Sequence, residues 1–257
     1  MPDLSYREFH IKKKNGKKRR ICAPSKDLLK AQRDLLPFFS TWFRSVEHTI
    51  FHEEIFHGFV PNRNCVTAAN KHLGFAHTIS LDISNCFDSI SPSNISDRYL
   101  LLKDTINKNL SIITHTDGTL AQGFATSPIL ANIYLLEPVK ELYDVIQSLY
   151  PEFVLTVYAD DIQISIPPST YTDMNALIDL TTVLFKAYGL TINKTKTRIH
   201  HAKYGNRRIL GIQVGESALY PNRRLKKKIR AARFQKNGPS LGGLITASRL
   251  LLPKGRR

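Results

Sequence analysis

The sequence is short of several things, and each shortage removes a class of protein. It holds 3 cysteines, 1 tryptophan and 2 methionines in 257 residues. Cys22, Cys65 and Cys86 have neither the spacing of a zinc site nor the density of a disulfide-stapled secreted domain, so they read as reduced, small apolar residues. The 9 histidines, His52/His57 and His200-His201 included, show no metal-ligand spacing and read as structural or surface groups. A run of about 18 apolar residues is missing, and the start, Met1 to Arg20, is polar and then basic; no membrane partner is expected, and the cytoplasm is the expected location. Repeats and low-complexity linkers are absent. Acidic residues are scarce: 21 Asp and Glu stand against 37 Lys and Arg, a net charge of +16. That excess favours a polyanionic partner, most simply nucleic acid. A hydrophobic content of 42% is ordinary, and the length suffices for one or two packed domains.

Against this background the most informative segment is Tyr158-Ala159-Asp160-Asp161. Phe153 to Tyr158 and Ile162 to Ile166 alternate as strands, so the segment between them reads as a three-residue hairpin tip. Two adjacent carboxylates repel unless a cation sits beside them, and Mg²⁺ is the simplest hard ion that takes carboxylate and phosphate oxygens. A third carboxylate, Asp82, ends the apolar strand from Thr78 to Ile83. Beside the hairpin, Asp82 and Asp160 would face one another and could hold two ions about 4 Å apart, an arrangement suited to in-line displacement at phosphorus. Asp88 is a competing candidate and reads as a helix-start or turn carboxylate.

The order of elements around these carboxylates carries the fold. A basic hairpin turns at Asn15-Gly16, then Ser25 caps a helix through Leu36, and Pro37 to Phe56 is a further buried helical segment. A helix around Val66 to Leu73 precedes the Thr78 strand. Ser127-Pro128 reads as a cap plus first-turn proline, opening a long helix towards Ser148. The Asp-Asp hairpin follows, then a helix capped by Thr172, then a short strand over Leu190 to Ile192. Strand, helix, hairpin, helix, strand is the split βαβ arrangement. Arg208 to Val214 adds one strand, Pro221 to Phe234 a basic helix and Leu241 to Leu252 a last helix.

Six ordered segments resemble the bacterial reverse transcriptases of the retron, group II intron and defence-associated kind. The Tyr158-Ala159-Asp160-Asp161 box is similar to their catalytic hairpin. Leu81-Asp82-Ile83 with Phe87-Asp88-Ser89-Ile90 resembles their first aspartate motif, and Ala121 to Pro128 the segment under the templating base pair. Gly189 to Asn193 with Lys196-Thr197, and Ile209-Leu210-Gly211-Ile212, resemble the following palm motif and the primer-grip strand. The Lys12 to Arg20 hairpin and His57-Gly58-Phe59 with Arg63 resemble the fingers. Three segments depart from the family pattern, one of them mildly, with Phe124-Ala125 where Ser-Pro is common. The Asn-Ala-x-x-His box reads Ala68-Ala69-Asn70-Lys71-His72, and the Val-Thr-Gly signature is replaced by Ile209-Leu210-Gly211.

The resemblance implies an α+β right-hand polymerase, with fingers over 1–74, a ferredoxin-like palm over 75–215 and a short basic thumb over 216–257. It implies RNA-directed DNA synthesis with two Mg²⁺ ions, Mn²⁺ being a possible substitute, held by Asp82, Ile83, Asp160 and Asp161. Lys196 would protonate pyrophosphate. Lys13, Arg19, Phe87, Gln122, Gly123 and Tyr158 would meet the deoxynucleoside triphosphate, with Phe87 excluding ribonucleotides. Arg63, Leu210, Gly211, Arg223, Arg224, Lys227 and Arg230 would contact template and primer; the crowded basic helix repels itself unless a nucleic-acid backbone lies against it. The implied partners are a structured noncoding RNA, an RNA/DNA duplex and an effector protein encoded nearby, in a retron-like or defence-associated anti-phage system. Alternatives are a catalytically vestigial RNA-binding scaffold, a group II intron-type enzyme and an RNA-synthesising polymerase. No RNase H, protease, endonuclease or maturase segment is expected.

Overall fold

The structure is a computed structural model that describes residues 2–13, 16, 18–167, 173–205 and 207–234. Asn15, Thr172 and the helix expected over 241–252 lie outside the described residues. Strands β1 (Tyr6–Lys12) and β2 (Lys18–Pro24) form the basic hairpin. The Ser25 side chain then accepts the Leu28 N–H and opens helix α1 (Lys26–Phe51). The sequence predicts a break at Pro37; instead α1 runs through it as one 26-residue helix. A proline inside a helix costs about 3 kcal/mol. Burial of Leu28, Phe39, Phe43 and Phe51 on one face of α1 outweighs that cost.

The central sheet has the order β4-β5-β3-β6, with β3 (His77–Asp82), β4 (Val154–Tyr158), β5 (Asp161–Ile166) and β6 (Arg198–His201), all neighbours antiparallel. Helix α6 (Ser127–Leu149) connects β3 to β4, and α7 (Met174–Ala187) connects β5 to β6, which is the split βαβ topology. The fourth strand is β6. Over Leu190 to Ile192, where a strand is predicted, only Ile192 bridges, to Ile83. Between β3 and α6 lie the short helices α3 (Pro92–Arg98), α4 (Leu100–Lys108) and α5 (Leu110–Ile113). Ser127 is the first residue of α6 rather than its cap; Thr126 takes the cap position without a side-chain hydrogen bond. Aspartate 173, next to the predicted Thr172, caps α7 through the Asn175 and Ala176 N–H groups.

Strand periodicity divides this sheet into two unlike faces. Ile79, Leu81, Leu155, Val157, Ile162 and Ile164 are buried on the helix-covered face. The opposite face carries cross-strand polar pairs in register: Thr78 with Ser165, Ser80 with Gln163, Asp82 with Asp161. At the far end from the aspartates, His72 contacts Ser165 Oγ at 2.7 Å and Thr156 Oγ1 at 2.8 Å. The buried Arg207 guanidinium donates to Thr78 Oγ1 and to the His72 carbonyl. The free edge of β4 is covered by the chain after α1, since Val157 N–H donates to Ile55 O and His57 N–H to Val157 O.

The strand predicted over Arg208 to Val214 is a hairpin, β7 (Arg207–Ile209) and β8 (Ile212–Val214), extended by β9 (Leu219–Tyr220). Leu210 and Gly211 both have positive φ, 48° and 81°, the backbone of a tight two-residue turn. Ile209, Ile212, Val214 and Leu219 form a small core with Ala69 of helix α2 (Cys65–Lys71), against which Leu225 of the basic helix α8 (Arg223–Phe234) packs. No helix among the described residues is long and apolar enough to cross a membrane.

Candidate active site

Antiparallel pairing brings the carboxylates together. Asp82 ends β3, Asp161 begins β5, and the two are direct cross-strand partners. Tyr158 pairs with Asp161, so the hairpin tip is two residues, Ala159 and Asp160, and not three. It is therefore Asp161 that stands opposite Asp82, with Asp160 at the turn beside them. Ile83 N–H donates to Asp160 O at 2.8 Å and Asn193 N–H to Asp82 O at 2.7 Å, tying both acidic segments to their surroundings. Ala159 adopts φ 56°. Gly58 lies against this tip so closely that a Cβ there would be 2.5 Å from Ala159 N.

The electrostatics are those of crowded like charges. Burial, and then Asp160 and Asp82, push the Asp161 carboxyl up to about 6. Burial also raises Asp160, with Asp82 adding to the rise while Lys196 and Arg19 oppose it. Lys196 Nζ donates to Asp82 Oδ1 at 2.6 Å. The other oxygen, Asp82 Oδ2, is buried with no hydrogen-bond partner among the described residues. A buried carboxylate oxygen without a donor, in an all-oxygen set, fits a hard divalent cation. The three aspartates stand wider than a closed cage: among the described residues, Glu8, Cys22 and His115 are the set with all ligand atoms within 4.8 Å of one another.

The remaining predicted residues fall into two groups. Lys196, Leu210 and Gly211 share one cleft with Asp82 and Asp161, about 500 Å³ in volume. Arg223, Arg224 and Lys227 line a neighbouring basic cleft of about 550 Å³, and Arg208 lines both. Arg230 is exposed on α8. Arg19 is exposed on β2 and its charge reaches Asp160. Tyr158 and Gln122 are half-buried, as is Lys13, whose carbonyl accepts Gly16 N–H at the hairpin turn. Phe87 is half-buried against the main core, in the single turn Phe87–Ser89.

Two predicted contacts are spent inside the protein. Gly123, at φ 114°, lets the chain close on β2, where a Cβ would meet Cys22 O at 2.2 Å, and Cys22 N–H donates to Gln122 O. Its close approach is to the hairpin. Arg63 holds buried Glu47 at 2.7 Å and the Phe56 carbonyl at 2.7 Å, so its guanidinium braces the His57-Gly58 loop. Sequence reasoning missed Gln163, Arg198, His200 and Arg208, which line the cleft beside the aspartates. The Arg198-Ile199-His200 alternation was the available signal for Arg198 and His200.

Residues 11–214 match the family model described as reverse transcriptase (RNA-dependent DNA polymerase). The chain belongs to this reverse transcriptase family. The retron Ec48 reverse transcriptase of Escherichia coli is 28% identical over 90% of this chain and 57% of its own length. The retron Se72 enzyme of Salmonella heidelberg is 24% identical over 78% of this chain and 52% of its own. The retron Mx65 enzyme of Myxococcus xanthus is 24% identical over 97% and 62%. The chain thus spans about half to three-fifths of the length of these relatives. Among solved structures, telomerase from Candida albicans bound to a fragment of telomeric RNA superposes with a TM-score of 0.62, at 12% identity over 87% of this chain and 46% of that one. Apo telomerase from Candida tropicalis gives 0.58 at 14% identity, over 86% and 49%. At such identity the likeness is one of fold, and it is the polymerase fold that the motif order implies.

Proposed function

We propose that this reverse transcriptase copies a dedicated, structured noncoding RNA into DNA, in a retron-like or defence-associated anti-phage system in the cytoplasm. The observation that carries the activity is the Asp82–Asp161 pair with Asp160 beside it, one buried oxygen left without a donor. Asp82, Asp160, Asp161 and the Ile83 carbonyl would hold Mg²⁺, or Mn²⁺ in its place. Bound there, the two cations would lower the pKa of the attacking 3′-hydroxyl and offset charge developing on the pyrophosphate.

The chain's own residues do the rest. Lys196 balances Asp82 at rest and donates a proton to the leaving pyrophosphate. Arg19 clamps the triphosphate with its planar fork, aided by Lys13. Gln122 and Tyr158 bound the nucleotide, and Phe87 occupies the space a 2′-hydroxyl would need. Leu210 and Gly211 steady the primer end. Arg223, Arg224, Lys227 and Arg230 ride on phosphates of the RNA/DNA duplex, releasing counterions. A nearby-encoded effector would complete the system.

Sequencing the nucleic acid that copurifies with the protein from its native host tests this reading, with an Asp160→Ala, Asp161→Ala double variant as control. One discrete RNA with complementary DNA, the DNA missing from the control, is expected. RNA without DNA in both samples would favour a binding scaffold instead.

A further inference from the structure

Adjacent arginines on β2 face opposite ways. Arg19 is on the exposed side whose charge reaches Asp160, and Arg20 points inward. Arg20 Nη2 donates to Asp88 Oδ1 at 3.1 Å, and Nη1 donates to Asp117 Oδ2 at 2.7 Å. Nη1 also lies 3.3 Å from His115 Nδ1. His115 Nδ1 lies 3.2 Å from Asp117 N and 3.1 Å from Asp117 Oδ2, and its Nε2 lies 3.0 Å from Glu8 Oε2. Both ring nitrogens therefore have polar partners inside the network, which accounts for His115 standing beside Glu8 without a metal.

The network joins three segments that surround the proposed nucleotide site. Asp88 belongs to the turn that carries Phe87. Asp117 belongs to the loop that leads into Gln122 and Gly123, and Leu120 N–H of that loop donates to Ile90 O just past the Phe87 turn. Cys22, two residues beyond Arg20, donates its N–H to Gln122 O. A single planar cation spanning two acids fixes distance and angle as a flexible lysine ammonium does not.

We propose that Arg20 is a positioning residue for sugar selection: its bridge to Asp88 and Asp117 holds the Phe87 turn at the depth that admits a deoxyribose and excludes a ribose. The inference rests on the reading of Phe87 as the ribose-excluding group. Arg19 and Arg20 then differ in kind. Loss of Arg19 weakens triphosphate binding for both sugars alike, whereas loss of Arg20 changes the ratio between them. Asp88 has its work here, as Arg20's partner, and not at the metals.

The test is primer extension on poly(rA) primed with oligo(dT), comparing kcat/KM for dTTP and UTP in wild type, Arg20→Ala, Asp88→Asn, the double variant and Phe87→Ala. Hydrogen exchange at the Ser89 and Ile90 amides is followed in parallel. Arg20→Ala and Asp88→Asn are each expected to lower the dTTP/UTP ratio roughly fivefold, a part-exposed ion-pair network being of that strength. The double variant should fall no further, and both amides should exchange faster. An unchanged ratio in Arg20→Ala, with Phe87→Ala lowering it, overturns the role of Arg20 and leaves the gate standing. An unchanged ratio in Phe87→Ala overturns the gate itself. Unchanged exchange at Ser89 and Ile90 in Arg20→Ala overturns the clamp whatever the polymerisation result.

Discussion

The two faces of the central sheet are made from the same strands and obey opposite rules. On one face, Ile79, Leu81, Ile162 and Ile164 are fully or almost fully buried under helices, and neighbours agree chemically. On the other, the pairs between β3 and β5 are polar, and at one end two aspartates stand opposite each other. The first face lowers the free energy of the fold. The second holds acids whose burial, and then the neighbouring carboxylates, raises the pKa of Asp160 and Asp161, a local instability that the proposed chemistry would use.

Breaking the polar face should hurt activity and spare stability. Asp160→Asn is expected to lower primer-extension kcat by about 10³-fold or more, since metal-held charge carries much of the transition-state stabilisation. Its melting temperature should rise by about 2 °C, because one member of a repelling set is gone. A variant that melts lower, with normal synthesis, would reverse the assignment of the two faces.

Breaking the apolar face should do the reverse. Ile164→Ala, at a fully buried site, is expected to cost about 2–5 kcal/mol of unfolding free energy by denaturant titration. The specific activity of the molecules that remain folded should be near normal.

Between the faces lies the support of the hairpin tip. Gly58→Ala puts a methyl group 2.5 Å from Ala159 N. The tip must shift, and displacement of this order lowers kcat by about 10²-fold while nucleotide KM moves little. Stability should fall by about 1–3 kcal/mol, as in other overpacked sites.

The smallest expected effect tests the far end of the polar face by pH. Burial, and then the nearby Arg207 charge, hold His72 down at about 3 in the fold, against 6.5 for an ordinary histidine. The unfolded chain therefore takes up a proton below 6.5 that the folded chain refuses. Stability is fully present above that value and is lost as pH falls towards 3. At pH 5 the loss is about 2 kcal/mol from this group. Thermal melts at pH 7 and pH 5 on wild type and His72→Gln should show the smaller drop in the variant.

Much of this contrast was legible in the chain. The period-2 alternation from Thr78 to Ile83 and on both sides of Ala159-Asp160 reads directly as strands with carboxylates at one end. What was hidden depends on contacts between distant residues. Pro37 reads as a breaker because its neighbours' burial on α1 is invisible locally. Arg198 to His201 lacks the apolar density of a strand and pairs with β3 on one side only. Leu210-Gly211 reads as part of a strand until both residues adopt positive φ. Arg63, Gly123 and Arg20 look alike to any sequence argument about nucleic-acid contact. Arg63 and Arg20 find acids, and Gly123 finds the Cys22 backbone.

The most direct test of the central claim is DNA-primer extension on an RNA template with deoxynucleotides, run with Mg²⁺, after chelation, and after Mg²⁺ is restored. The account predicts DNA product that vanishes on chelation, returns with the metal and is missing from Asp160→Asn throughout. Product that persists in Asp160→Asn at wild-type rate, or no product from wild type on any primed RNA, would contradict it.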